Sequence, residues 1–442
     1  MSRPTGFADL VGRRVGIFGY GVEGRATRRR IAELAASIVV VDDAPQPEPD
    51  VLVSSSGGHE ALLGCEVVLK SPGIARRRAD VLDLEAHGVT VTSALNLWLG
   101  EVDRSRVVAV TGTKGKSTTT ALIAFFLQCL GQDAMALGNF GQPPYDPDID
   151  TRGVWSILEV SSYQCVDIEH APGVVVVTSL GADHLDWHGS LEQYHDDKLS
   201  LTRASDPHRT VVADDPALRA LEDRIGGELS FVGPQSHGLA DRLGLLGAHS
   251  ESNVALALRV AALLSGRSES DVRDVVRDGA RGFVPLRGRL TLVGEEENDG
   301  HRIVYVDDAL ATAPLPTVAA LAVFSREPVA LLTGGFDRGV DYQPLIDAIV
   351  TREEPTLILT SGDAGERIAR LADDARLNHE AFDSMDDAVE RARAFLRDGG
   401  VVLLSPGAPS FDRYHNWLER SNDFTRSARR FAKWSLGGDS NS

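Results

Sequence analysis

The chain has 442 residues, room for about two to four domains of ordinary size. Hydrophobic residues are 43% and charged residues 25%, which excludes wholesale disorder and a collagen-like fibre. Lysine and arginine number 45 against 64 acids, a balance of −19, so general binding of nucleic acid or anionic membrane is excluded while a local basic pocket is not.

Short β-branched runs alternate with helical stretches along the chain. Buried strands are expected at Val15–Phe18, Ile38–Val41, Val67–Leu69, Val107–Val110, Ser156–Val160 and Val174–Thr178. Four more follow at Ile303–Val306, Val329–Leu332, Leu357–Thr360 and Val401–Leu404. The alternation implies an α/β chain with mostly parallel sheets. The strands fall into three series, which places domains at 1–98, 99–283 and 284–442. Ala44–Pro49 and Gly141–Pro147 read as loops, and Gly437–Ser442 as a frayed tail. Cys65, Cys129 and Cys165 are few, odd in number and without a CxxC pair, which fits a reducing compartment rather than a disulfide framework or a structural zinc site. The N-terminus has no signal-peptide core, and no apolar run approaches the roughly 20 residues that span a bilayer. A cytoplasmic protein with no membrane partner is expected.

The first strand runs into Gly19-Tyr-Gly-Val-Glu-Gly24, a G-x-G-x-x-G turn, and Asp42-Asp43 stand about 20 residues further on. NAD or any other nucleotide diphosphate suits that turn. Ser71-Pro-Gly-Ile74 is a second phosphate-facing turn. The strongest signal is Val107-Val-Ala-Val-Thr-Gly-Thr-Lys-Gly-Lys-Ser-Thr118, a strand, a glycine turn and then an apolar helix read as Ala121–Leu130. Gly112 and Gly115 let backbone N–H groups face phosphate, Lys116 reaches the outer phosphates, and the Ser117 hydroxyl suits Mg²⁺. The G-x-x-G-K-S spacing is two residues shorter than the general phosphate loop. Glu159, at the end of its strand, is a metal candidate. Asp183-His184-Leu185-Asp186-Trp187-His188 carries an H-x-D-x-H pattern. No HExxH or cysteine pair completes a zinc set, so His184 beside Mg²⁺ is the better functional reading. Lys198 reads, on its own, as a solvated helix lysine. Two phosphate-type turns suggest ATP and a second nucleotide-bearing substrate.

Taken together, Thr111–Thr118, Gly138-Asn-Phe-Gly141, Leu158–Ser162, Asp183-His184 and Lys198 resemble the Mur ligases in order and spacing. Gly19–Gly24, Ser71–Ile74, Ser405-Pro406 and Ser410-Phe-Asp412 resemble the glutamate-adding branch of that family. The resemblance implies a Rossmann-like N-terminal domain for a UDP-substrate, a central ATPase domain, and a Rossmann-like C-terminal domain closing over the site. It implies a monomer that uses ATP and joins glutamate to UDP-N-acetylmuramoyl-L-alanine through an acyl phosphate. Gly112, Thr113, Lys114, Gly115, Lys116, Ser117 and Thr118 would cradle the phosphates. Ser117, Glu159, His184 and a carbamylated Lys198 would hold two Mg²⁺ ions. Asn253 would meet adenine, Arg287 the phosphates and Asp308 the ribose. Gly21, Asp42, Ser71 and Ser161 would serve the nucleotide substrate, with Asp42 on the uracil, and Asn139 would contact the γ-phosphate region or the substrate. Thr312, Arg338, Ser410 and Trp417 would serve glutamate.

Several positions depart from the pattern of D-glutamate-adding members. Leu286 replaces a histidine, Asp308-Ala-Leu-Ala-Thr-Ala313 replaces D-S-K-A-T-N, Arg338 replaces a lysine, and Trp417 replaces a phenylalanine. An arginine holds a carboxylate bidentately and in a different place from a lysine. The changes fall where the incoming amino acid should bind, and they resemble a subgroup that adds L-glutamate and relies on a downstream epimerase.

Overall fold

The structure is a computed structural model that describes residues 3–139, 141–205, 208–298 and 300–432. Phe140 of the Gly138–Gly141 motif and the Gly437–Ser442 tail lie outside the described residues. The chain forms two compact units: residues 1–237 with 251–279, and residues 238–250 with 280–442.

Unit 1 holds two parallel sheets. The first is built from β1 (Arg14–Phe18), β2 (Ser37–Asp42), β3 (Val51–Val53), β4 (Val67–Lys70) and β5 (Thr90–Thr92), in the order β3-β2-β1-β4-β5. The second contains β6 (Val107–Thr111), β7 (Ala134–Gly138), β8 (Trp155–Glu159), β9 (Val174–Val177), β10 (Arg209–Ala213) and β11 (Glu228–Val232), in the order β11-β10-β9-β6-β8-β7. The register aligns Val110 with Glu159, Glu159 with Gly138, and Thr111 with Val177. The carboxyl ends of four strands therefore stop side by side, where open parallel sheets bind their ligands.

Unit 2 holds a third sheet. Its strands are β12 (Thr291–Asn298), β13 (His301–Asp307), β14 (Val329–Gly334), β15 (Thr356–Ser361), β16 (His379–Ala381) and β17 (Gly400–Leu404), in the order β12-β13-β17-β14-β15-β16. Among the described residues of this sheet, only the β12–β13 pair is antiparallel. Both faces of this sheet are covered. Val329 and Leu331 enter one apolar cluster, while Ala330 and Leu332 enter the other. That double burial is why its central strands read as unbroken apolar runs.

All ten expected strands are present, with ends shifted by one or two residues. The helix expected at Ala121–Leu130 in fact begins at Lys116 and ends at Cys129. Its first turn, Ser117–Thr120, is polar and β-branched, so periodicity of apolar residues missed it, yet Thr119 and Thr120 are fully buried. Strand β12 was missed because its Glu295-Glu-Glu297 run reads as solvated, although Glu296 accepts from the Tyr305 hydroxyl at 2.7 Å and pairs with Arg393.

Candidate active site

The phosphate loop of unit 1 is shaped by close approach. Gly112 (φ 142°) and Gly115 (φ 85°) lie in backbone regions that side chains avoid. A Cβ on Gly112 would stand 2.0 Å from Thr178 Oγ1, and one on Gly115 would stand 2.4 Å from Asn253 Oδ1. The amides of Thr113 and Lys114 donate to Ser179 O (2.8 Å) and Ser179 Oγ (2.9 Å). The Thr113 hydroxyl meets Tyr194 Oη at 2.9 Å and accepts from Gly181 N. Thr113 and Lys114 therefore build the loop through these contacts. The amides of Ser117 and Thr118 lie in the first turn, before the helix's own i→i−4 ladder begins, and are donors that an anion can use. Lys116 Nζ lies over its own loop, donating to Thr113 O at 3.1 Å. Asn253, buried, accepts from the Thr119 hydroxyl at 3.2 Å at the back of the same turn.

Around that loop stand buried charged groups. Glu159 is 3% exposed; its Oε1 accepts from Asn139 Nδ2 at 3.0 Å, and its Oε2 has no partner among the described residues. A buried carboxylate oxygen left unpaired is costly, and a cation satisfies it. Ser117 is also buried. Among the described residues no three His, Cys, Asp or Glu side chains converge as a metal cluster, so a cation here would draw on Ser117, Glu159 and a further oxygen donor. Lys198 is 1% exposed and donates to Gly112 O at 2.8 Å. Burial, with Lys116 nearby, lowers its pKa to about 7. The solvated-lysine reading of Lys198 is thus corrected: helix Leu191–Leu199 turns it inward.

Asp183 and His184 follow β9. His184 has φ 50°, an uncommon left-handed conformation for a histidine, and its half-exposed ring lies 5.0 Å from that of Tyr163. His188 is buried between Asp197 Oδ2 (2.7 Å) and Ser162 Oγ (3.0 Å), and burial lowers its pKa. Arg77 grips the same Asp197 bidentately at 2.9 and 2.6 Å. Trp187 donates from Nε1 to Gly73 O at 3.2 Å, its ring 4.6 Å from Tyr163. Ser161 caps helix Ser162–Cys165 in a capping box with Gln164, whose amide donates to the half-buried Glu23.

The G-x-G-x-x-G turn is built as its glycines require. Gly19 has φ 94°, and a Cβ on Gly24 would stand 2.1 Å from Gly19 O. Gly21 is the N-cap of helix Val22–Ile31. Asp42 accepts from Tyr20 N (2.6 Å) and Ala44 N (2.9 Å), and the Ser71 hydroxyl donates to Gly19 O (2.7 Å). Both side chains thus brace the turn.

Unit 2 gathers its own set. Asp308 is buried, accepts from Ser405 Oγ (2.8 Å) and Leu290 N (3.3 Å), and is pushed up to about 7 by burial. Arg287 is exposed and donates to Asn422 Oδ1 at 2.7 Å. Trp417 packs against Gly288, where a Cβ would stand 2.9 Å from the indole. Ser410 is buried, Thr312 half-buried and Arg338 exposed.

The profile of the family described as "Mur ligase middle domain" matches residues 110–236, the stretch from the phosphate loop through β11. A UDP-N-acetylmuramoyl-L-alanine–L-glutamate ligase of Micromonospora sp. is 38% identical over 454 residues, spanning 96% of this chain and 98% of that protein. The like-named ligase of Salinispora tropica is 36% identical over the same shares. This chain belongs to the Mur ligase family. Its fold is also that of the Thermotoga maritima MurF ligase solved with ADP, at 15% identity and a TM-score of 0.52 over 97% of this chain and 98% of that one.

In this Mur ligase, unit 1 brings together Lys116, Ser117, Asn139, Glu159, Lys198 and Asn253 at one sheet end. Unit 2 carries Arg287, Asp308, Thr312, Arg338, Ser410 and Trp417. Sequence reasoning missed Arg77, Tyr194 and Asp197, which hold the loop and His188 in place. Asp197 stands next to Lys198, but nothing in the sequence pairs it with Arg77, 120 residues away. Among the described residues no helix is long and apolar enough to cross a membrane.

Proposed function

We propose that this Mur ligase joins L-glutamate to UDP-N-acetylmuramoyl-L-alanine, cleaving ATP to ADP and phosphate. The observation that carries the reading is the near full-length match to relatives bearing that name, in a chain that keeps the phosphate loop, Glu159 and Lys198. The acceptor carboxylate attacks the γ-phosphorus of ATP, and ADP leaves. The amine of glutamate then attacks the acyl carbon of the acyl phosphate, the C–O bond to phosphate breaks, and the amine sheds its proton.

Lys116 and the amides of Ser117 and Thr118 bind the phosphates, and Asn139 orients Glu159. Ser117, Glu159, His184 and the carbamate of Lys198 hold two Mg²⁺ ions. Bound Mg²⁺ offsets the charge of the phosphoryl oxygens. The low pKa of Lys198 leaves a large neutral fraction at physiological pH, the form that adds CO₂. Gly21, Asp42, Ser71 and Ser161 serve the UDP-substrate; Asn253, Arg287 and Asp308 serve the adenosine and phosphates; Thr312, Arg338, Ser410 and Trp417 serve glutamate. The working divisions are 1–98, 99–283 and 284–442. The enzyme acts as a cytoplasmic monomer, and its product passes to an epimerase.

The test is phosphate release by the purified chain with ATP, Mg²⁺ and UDP-N-acetylmuramoyl-L-alanine, with L- and D-glutamate in separate tubes. Turnover with L-glutamate alone is expected. Turnover with D-glutamate alone overturns the stereochemistry, and silence with both overturns the substrate assignment.

A further inference from the structure

Three loops leave the carboxyl ends of β13, β17 and β14 in unit 2, and they carry Thr312, Ser410 and Arg338 in turn. Beneath them lies Arg420, on helix Trp417–Ala428, 4% exposed. Its guanidinium takes one backbone carbonyl from each loop or from the strand end that leads into it. Nη2 donates to Ala309 O (3.2 Å) and Ala408 O (3.0 Å), and Nη1 donates to Gly334 O (3.4 Å). Among the described residues no carboxylate forms an ion pair with it. Trp417 stands one turn before it on the same helix.

A buried guanidinium with no carboxylate in ion-pair contact, Asp412 and Asp307 acting on it only at longer range, is an expensive way to fill space, and a leucine or methionine would fill it at less cost. What an arginine adds is a rigid planar fork that reaches several acceptors at fixed separations; a lysine is a single point donor. Burial lowers the guanidinium's pKa to about 10, still well above physiological pH, so it stays charged. The loops are also tied to one another by Gly407 N to Ala311 O (2.8 Å), Gly334 N to Pro406 O (2.8 Å) and Phe336 N to Pro409 O (2.9 Å). The fold therefore has ties that do not depend on Arg420. Among the described residues, Arg420 provides one hydrogen-bonding group common to all three segments.

We propose that Arg420 is a positioning residue for amino-acid selection, its fork fixing the spacing of the three loops that present Thr312, Arg338 and Ser410. The inference rests on the reading that these side chains receive glutamate.

The experiment compares full-length wild type with Arg420→Lys and Arg420→Ala. Wild-type turnover with L-glutamate tests the ligase reading and is scored separately. For the lysine variant, the KM for L-glutamate should rise about tenfold or more, as for loss of hydrogen bonds from a charged group, while the KM for ATP stays within about twofold. Millimolar guanidinium should restore part of the lost glutamate affinity in the alanine variant and none in wild type. Independently of any substrate, amide hydrogen exchange in 309–313, 335–338 and 406–410 should quicken in the lysine variant, with β14 and β15 unchanged. Equal rises in both KM values, or exchange that quickens throughout unit 2, would make Arg420 an ordinary structural residue and overturn the proposal. Unchanged exchange in the three loops would overturn it as well, even if the ligase reading failed.

Discussion

Around the phosphate loop of unit 1, Glu159, Lys198 and Asn253 are buried, and contacts with the loop and its neighbouring strand ends fix their places: Glu159 beside Asn139, Lys198 on Gly112 O, Asn253 against Gly115. In unit 2 the residues assigned to the amino acid ride on loops, with Arg338 exposed and Thr312 half-buried, over a base made by Asp308, Ser405 and Arg420. The first region tolerates almost no change, because a Cβ at Gly112 or Gly115 has nowhere to go. The second tolerates substitution of its tips while its base stays fixed. On the proposed assignment, phosphate chemistry is tied to backbone geometry, and amino-acid choice to side chains that drift at small cost to the fold. The departures from the D-glutamate pattern lie in the second region and spare the first.

Mutations can break this contrast or sharpen it. The largest effect is expected for Lys116→Ala, which should lower phosphate release about a thousandfold or more through lost charge on the γ-phosphate. Near-normal rates would remove the loop from the reaction. Lys198→Ala should fall about a hundredfold, with partial recovery in acetate or propionate, whose carboxylate stands in for the carbamate. Without recovery, Lys198 would be left as a strut beneath Gly112. Arg338→Lys should raise the KM for glutamate about tenfold and leave that for ATP within about twofold; a parallel rise in both would take Arg338 out of the amino-acid site.

The smallest effect concerns Asp308. Its carboxyl has a pKa raised from 3.8 to about 7, so the folded state binds the proton more tightly than the unfolded chain. Stability falls as pH rises between those values, and the burden of the buried charge is complete above the upper one. Asp308→Asn should therefore raise the melting temperature relative to wild type more at pH 8 than at pH 5, by about 3 °C. A shift independent of pH would mean that the charge is not what limits the site.

Much of this molecule is legible in the sequence, for identifiable reasons. The buried parallel strands announce themselves through runs such as Val174–Val177, and the phosphate loop through glycines that nothing else could replace. Edge strands such as His379–Ala381 are three residues long and carry no apolar pattern, so they stay hidden. The strand, glycine turn and helix of the Val107–Thr118 motif are legible in the sequence, but the bonds that shape the turn are not: Thr113 and Lys114 bond to Ser179, a partner 66 and 65 residues on. Lys198 looked like any helix lysine because its burial depends on Gly112, 86 residues earlier. Arg420 gave no signal at all, since its acceptors are backbone carbonyls and leave no trace in side-chain identity.

The indole of Trp187 lies between two parts of unit 1, bonded to Gly73 O in the Ser71–Ile74 turn and placed 4.4 Å from the His188 ring. That position makes it an optical gauge. Indole emission follows local polarity and hydrogen bonding, so the wavelength difference between wild type and Trp187→Phe isolates one of five tryptophans. A titration with the UDP-substrate would then report the state of the Ser71–Ile74 turn without a label, and a titration with nucleotide alone would report whether the His184 loop responds before any bond is made.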